Sequence, residues 1–149
     1  MKAKTATSLL LFILHTCFGY SQNSGDDLLG TWLSGDKKGH IEIFKKGEKY
    51  YGKIVWLREP KNEEGEALKD SNNPKEELQK RPLIGLVNLQ DFEYDAADKE
   101  WEEGTIYDPE NGNTYSCYIT MENQNTINVR GFIGFSLIGR TDVWTRVEV

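Results

Sequence analysis

The chain has 149 residues, with 18 Lys and Arg set against 24 Asp and Glu, a net charge of −6 at pH 7 and 38% hydrophobic residues. That length fits one domain with a core of its own. The acidic balance excludes partners that require clustered cations, nucleic acid and anionic membrane surfaces among them.

In chain order, residues 1–21 read as a secretory signal peptide: Lys2 and Lys4 precede the apolar run Leu9 to Leu14, and the small residues Gly19 and Ser21 follow two apart. The run is too short for a permanent membrane span. Cleavage is expected after Ser21, which predicts a periplasmic or secreted protein. Lipidation at Cys17 ranks second, because Thr16 stands where a Gly or Ala is wanted. Residues 22–149 form the domain: 128 residues, 16 of them basic and 24 acidic, with a net charge of −8. This part keeps one cysteine, Cys117, and one histidine, His40. It can form no internal disulfide and no four-ligand zinc site.

After a polar leader over residues 22–27 come short strands separated by Gly, Asn and Asp turns. "HIEIFKK" alternates Ile41 and Ile43 with polar neighbours, and "KGEK" turns it into "YYGKIVWL", which predicts a hairpin. Residues 58–81 are polar and charged without strand pattern. Within them Asn73 is expected to cap a short helix whose first residue is Pro74 and whose third is Glu76. "DPENGN", residues 108–113, is a strong turn. "TYSCYITM" then sets Tyr115, Cys117, Ile119 and Met121 on one face, and "NTINVRGF" and "GRTDVWTRVEV" continue the alternation. Turns every ten or so residues without long helical periodicity predict an all-β antiparallel barrel or sandwich.

Catalytic readings find little footing. His40 has no nucleophile elbow to serve, and Cys117, mid-strand on an apolar face, reads as an inert buried thiol. Asp91, Glu93, Glu102, Glu103 and Asp108 leave room for a carboxylate-pair hydrolase, but the sequence does not say which of them meet. "DPENGN" lacks the ligand spacing of a helix-loop-helix calcium loop.

"VRGFIGFSLIGRTDVWTR", residues 129–146, carries Gly131, Gly134 and Gly139 among apolar residues. No long helix and no Lys-Ser/Thr follows, which removes dinucleotide and phosphate-loop readings and leaves glycines that permit curvature. In the last strand Arg140, Asp142, Trp144 and Arg146 share one face. Two accounts stay open: an exterior face with a half-covered Trp, or arginines aimed into a cavity to grip a carboxylate or phosphate, with Arg130 a similar candidate.

Three blocks, "DSNNPKEELQKRPLIGL", "WEEGTIYDPENGNTYSC" and "VRGFIGFSLIGRTDVWTR", together with "GTW" and "YYGKIVWL", resemble bacterial domain-of-unknown-function family 2147 across nearly all of residues 22–149. The resemblance implies an antiparallel up-and-down lipocalin-like β-barrel that holds a small hydrophobic ligand, without established enzyme activity; the polar 58–81 insertion, read from the residues with its short helix, departs from typical lipocalins. The resemblance also implies that Trp32 of Gly30-Thr31-Trp32 sits at the barrel floor against Arg140 or Arg146, of which Arg146 is favoured.

The expectation for function is an exported, monomeric binding protein for a fatty-acid-like or other amphiphilic molecule, without cofactor, metal or catalytic residues. Trp56, Tyr107, Tyr115, Phe132 and Trp144 are the expected lining. Arg130 or Arg140 is set on an anionic head, Arg130 by preference, and Arg81 near the mouth. The alternative is a filled barrel that binds an envelope protein partner through the 58–81 insertion. A one-residue register error would exchange lining residues with exposed neighbours.

Overall fold

The computed structural model describes residues 24–135 and 137–148. The signal peptide, its cleavage after Ser21 and lipidation at Cys17 lie outside the described residues. Eight strands run β1 (Gly30–Leu33), β2 (Gly39–Lys46), β3 (Lys49–Leu57), β4 (Val87–Asp95), β5 (Glu100–Asp108), β6 (Asn113–Asn123), β7 (Thr126–Phe132) and β8 (Gly139–Arg146). Each pairs antiparallel with the next, and β1 also pairs with β8, Trp32 opposite Arg146, so the sheet closes into the expected up-and-down barrel. Closure gives both terminal strands a partner, although β1 meets β8 over two residue pairs, Trp32–Arg146 and Leu33–Thr145.

Alternation sends one side chain in two inward. Ile41 and Ile43 of β2, Tyr50 and Ile54 of β3, Cys117 and Ile119 of β6, and Ile127 and Val129 of β7 are buried. The lower barrel is packed solid by Trp32, Leu89, Phe92, Trp101, Ile119, Ile127 and their neighbours.

The polar leader gives way to a 3-10 turn, Gly25–Leu28, that plugs this lower end. Asp27 accepts from the Ser24 backbone N–H at 2.8 Å, and Leu28 is fully buried. Two indoles donate to the turn's carbonyls, Trp32 Nε1 to Leu28 at 2.9 Å and Trp101 Nε1 to Gly25 at 3.0 Å. Both large aromatic residues are thereby buried with their one polar group satisfied.

The β3–β4 connection occupies 58–86 and contains one 3-10 turn, Glu76–Leu78. The expected helix therefore begins two residues after Pro74 and is a single turn. Asn73 does not cap it. Its Oδ1 accepts the Lys75 backbone N–H at 2.9 Å, while its Nδ2 donates to Asp70 Oδ2 at 2.8 Å and to the Tyr107 hydroxyl at 3.2 Å. A buried polar cluster claims the amide that a helix N-terminus would have used.

Candidate functional site

Above the packed floor the barrel opens into a cavity of about 610 Å³. Its mouth is ringed by the β1–β2 loop, the β5–β6 turn and the β7–β8 loop. Ile41, Ile106, Val129, Phe132, Tyr107, Tyr115 and Trp144 supply an apolar and aromatic wall, and Ser34, Asp36, Lys38, Glu110 and Arg140 a polar rim. Lys38 bridges the rim by pairing with Glu110. That hydrogen bond, with the carboxylate's charge, holds the lysine ammonium above its usual pKa.

β8 provides the graded side of the cavity. Its inward residues run from Trp144, 3% exposed, through Asp142 to Arg140 at the mouth, while Val143 faces out. Trp144 Nε1 donates to Asp142 Oδ2 at 2.7 Å, and the Gly35 backbone N–H reaches the same oxygen at 3.2 Å. Asp142 is thus engaged in fixing the indole and the β1–β2 loop. Among the described residues the Arg140 guanidinium has no such partner, so a cation stands ready above an apolar well.

The glycines of 129–146 serve this end in two ways. Gly134 takes φ +70° in the β7–β8 loop, and a Cβ at Gly139 would lie 2.4 Å from the Gly131 carbonyl oxygen, so the strands leave the loop in close contact. The loop turns Ile133, Phe135, Leu137 and Ile138 toward solvent, 68–90% exposed.

Five of the residues singled out from the sequence come together here: Tyr107, Tyr115, Phe132, Arg140 and Trp144. Three do not. Arg130 alternates with the inward Val129 and Gly131, so it lies on the outer wall, where its Nη1 donates to Thr141 Oγ1 at 2.9 Å.

Trp56 is 42% exposed and packs on His40 with ring centroids 4.3 Å apart. The reason is a bulge: Ile41 pairs with Ile54 but His40 with Trp56, and the extra residue, Val55, turns Trp56 out and Leu57 in.

Arg81 stands behind the wall. It grips the fully buried Asp70 through Nε at 2.9 Å and Nη2 at 2.8 Å, and lies 5.9 Å from the Tyr107 ring centroid. Tyr107 donates to the other Asp70 oxygen. Burial first, and the Asp70 carboxylate second, push the Tyr107 phenol above its usual pKa. The polar insertion is thereby tied to the cavity wall.

At the opposite end Arg146, not Arg140, covers the Trp32 ring, 4.2 Å from its centroid. It donates to the carbonyls of Leu29 and Asp27 at 2.8 Å each and of Gln124 at 2.6 Å. Desolvation lowers its pKa, though an arginine stays charged.

Of the carboxylates weighed for hydrolysis, Glu93 pairs with Lys49 and Asp91 with the Tyr51 hydroxyl, both outside the cavity. Asp108 lies at the rim, holding the β5–β6 turn through the Glu110 N–H and Asn111 Nδ2. Among the described residues no three His, Cys, Asp or Glu side chains gather as metal ligands. Sequence reasoning missed Asn88, Ile106 and Asp70. Strict alternation gives Asn88 to the face opposite Leu89, and nothing local marks the buried carboxylate in a charged loop.

The profile of a family described as uncharacterized proteins conserved in bacteria, DUF2147, matches residues 30–146. Among solved structures the chain is similar to protein HP1028 from the human pathogen Helicobacter pylori, described as belonging to the lipocalin family. The TM-score is 0.70 and the identity 21%, over 81% of this chain and 83% of that one. At that identity the likeness speaks for the fold. Among curated proteins none matches.

Proposed function

The chain belongs to the family of uncharacterized bacterial proteins DUF2147, and from that premise we propose that it is an exported binding protein that carries one small hydrophobic or amphiphilic molecule, fatty-acid-like in form, and performs no catalysis. The observation that carries this reading is the cavity of about 610 Å³, apolar within and overlooked by Arg140. Its volume lies within the usual range of small-molecule sites, and its wall has their usual composition of aromatic and aliphatic side chains with few polar groups.

An alkyl chain would lie against Ile41, Val129 and Trp144, with a carboxylate at Arg140, where the charge meets water and pays little desolvation. Such an open interior favours a ligand carrier over a filled scaffold acting only through its surface. Export rests on the signal-peptide pattern of residues 1–21.

The test is to isolate the protein from the periplasm or medium, weigh it intact under native conditions, and displace a fluorescent fatty acid from it. A mature chain beginning at Gln22, one bound molecule per monomer and saturable displacement are expected. A chain that retains residues 1–21 refutes export, and an apo mass together with no binding of any lipid probe refutes the carrier.

A further inference from the structure

Asn88 is a buried side chain for which an alkyl ligand has no use. In β4 the register runs Lys53 opposite Val87 and Gly52 opposite Leu89, so β4 spends two residues against one of β3. Asn88 is the extra residue, and such bulges re-aim side chains. It is 7% exposed while its neighbour Leu89 is 1% exposed, two adjacent side chains buried together where a regular strand buries one.

Asn88 lines the cavity with Ile41, Ile106 and Trp144. Its Oδ1 is shut off from solvent and, among the described residues, has no hydrogen-bond partner. The two other buried polar residues, Asp70 and Asn73, are bonded to each other and to Tyr107. The fold therefore satisfies a buried amide where it needs one only for structure.

We propose that Asn88 recognises a neutral hydrogen-bond donor, such as a hydroxyl or amide N–H, set along the ligand's otherwise apolar body; this rests on the carrier reading above. Without a ligand that oxygen stays unpaired; turning the amide about its last side-chain bond brings it to the cavity, where a hydroxylated chain can donate to it and an alkyl chain cannot. An uncharged amide does not compensate a buried carboxylate, so the ligand's anionic end belongs at Arg140 and its neutral polar group at Asn88. The preferred ligand class is then a chain amphiphile with a second, uncharged polar group partway along it.

The experiment measures affinities of long-chain acids of one length, bearing no hydroxyl or one hydroxyl at successive positions, for the wild-type protein, Asn88→Leu and Asn88→Ala. At least one hydroxylated acid should bind the wild type about tenfold more tightly than the parent acid. Both variants should lose that preference while binding the parent acid at least as well. Asn88→Ala supplies the same readout if leucine does not fold at the bulge. If the parent acid binds and no hydroxyl position helps, or if the preference survives in a variant, the role of Asn88 is overturned and the carrier stands. If no acid binds at all, the carrier reading falls and this inference falls with it.

Discussion

Replacing Arg146 by Met separates the floor of the barrel from its cavity. The guanidinium lies 4.2 Å from the Trp32 ring centroid, and its donors hold the carbonyls of Leu29, Asp27 and Gln124. The bond to Gln124 is exposed and contributes little. The two part-buried, charge-assisted bonds are worth about 1.5 kcal/mol each and the cation–π contact ~0.5–1 kcal/mol. Methionine keeps the stem's packing and loses these, so the expected cost is about 3–4 kcal/mol. At this chain length that lowers Tm by roughly 10 °C.

Urea unfolding followed by tryptophan fluorescence measures the loss. Arg146→Lys should recover less than half of it, since an ammonium cannot span three carbonyls as the planar fork does. A loss below about 1 kcal/mol for Arg146→Met would refute the assignment of Arg146 as a strut between the N-terminal turn, β8 and the β6–β7 turn.

At the other end, Arg140→Met should leave stability within about 0.5 kcal/mol of wild type and weaken binding of a long-chain acid roughly fivefold to tenfold without affecting its methyl ester; equal effects on acid and ester in titration calorimetry would contradict a head-group role. Tyr107→Phe removes the donor to buried Asp70 and should cost about 1–3 kcal/mol in denaturant unfolding, whereas an unchanged midpoint would mean that the insertion is not tied down there. Burial pushes the Cys117 thiol up to about 12, so the native protein should not react with a thiol reagent at pH 8 and should react once unfolded. Because the folded value is raised, the associated stability is complete below the ordinary thiol pKa and lost as pH rises above it toward about 12; thiol labelling of the native state as fast as in urea would contradict the burial.

The alternation of β2, β6, β7 and β8 was legible in the sequence because each strand has one face in the core, and hydrophobicity reports that contrast directly. The same pattern placed Arg140, Asp142 and Trp144 on one face of β8, which the structure turns inward. Arg130 shows the limit of reading residue type without parity: it is an arginine beside a glycine run, like Arg140, but Val129 and Gly131 occupy the inward positions of β7. Asp70 was hidden for a different reason. Its burial depends on Arg81, Asn73 and Tyr107, and Tyr107 lies in a strand 37 residues away along the chain.

Two bulges set the difference between the expected and the observed cavity. One extra residue in β3 reverses parity after Ile54 and sends Trp56 outside, where it packs on His40. One extra residue in β4 brings Asn88 in beside Leu89. Both follow from pairing with a neighbouring strand, a property of two segments that neither segment's hydrophobic pattern contains. Their joint effect is chemical as well as geometric: the wall loses an aromatic surface and gains a carboxamide. Moving one bulge in a closed barrel of this kind alters the cavity wall while the floor stays as it is, because the side-chain bonds of Trp32 and Arg146 run to Leu28, Leu29, Asp27 and Gln124 at the opposite end.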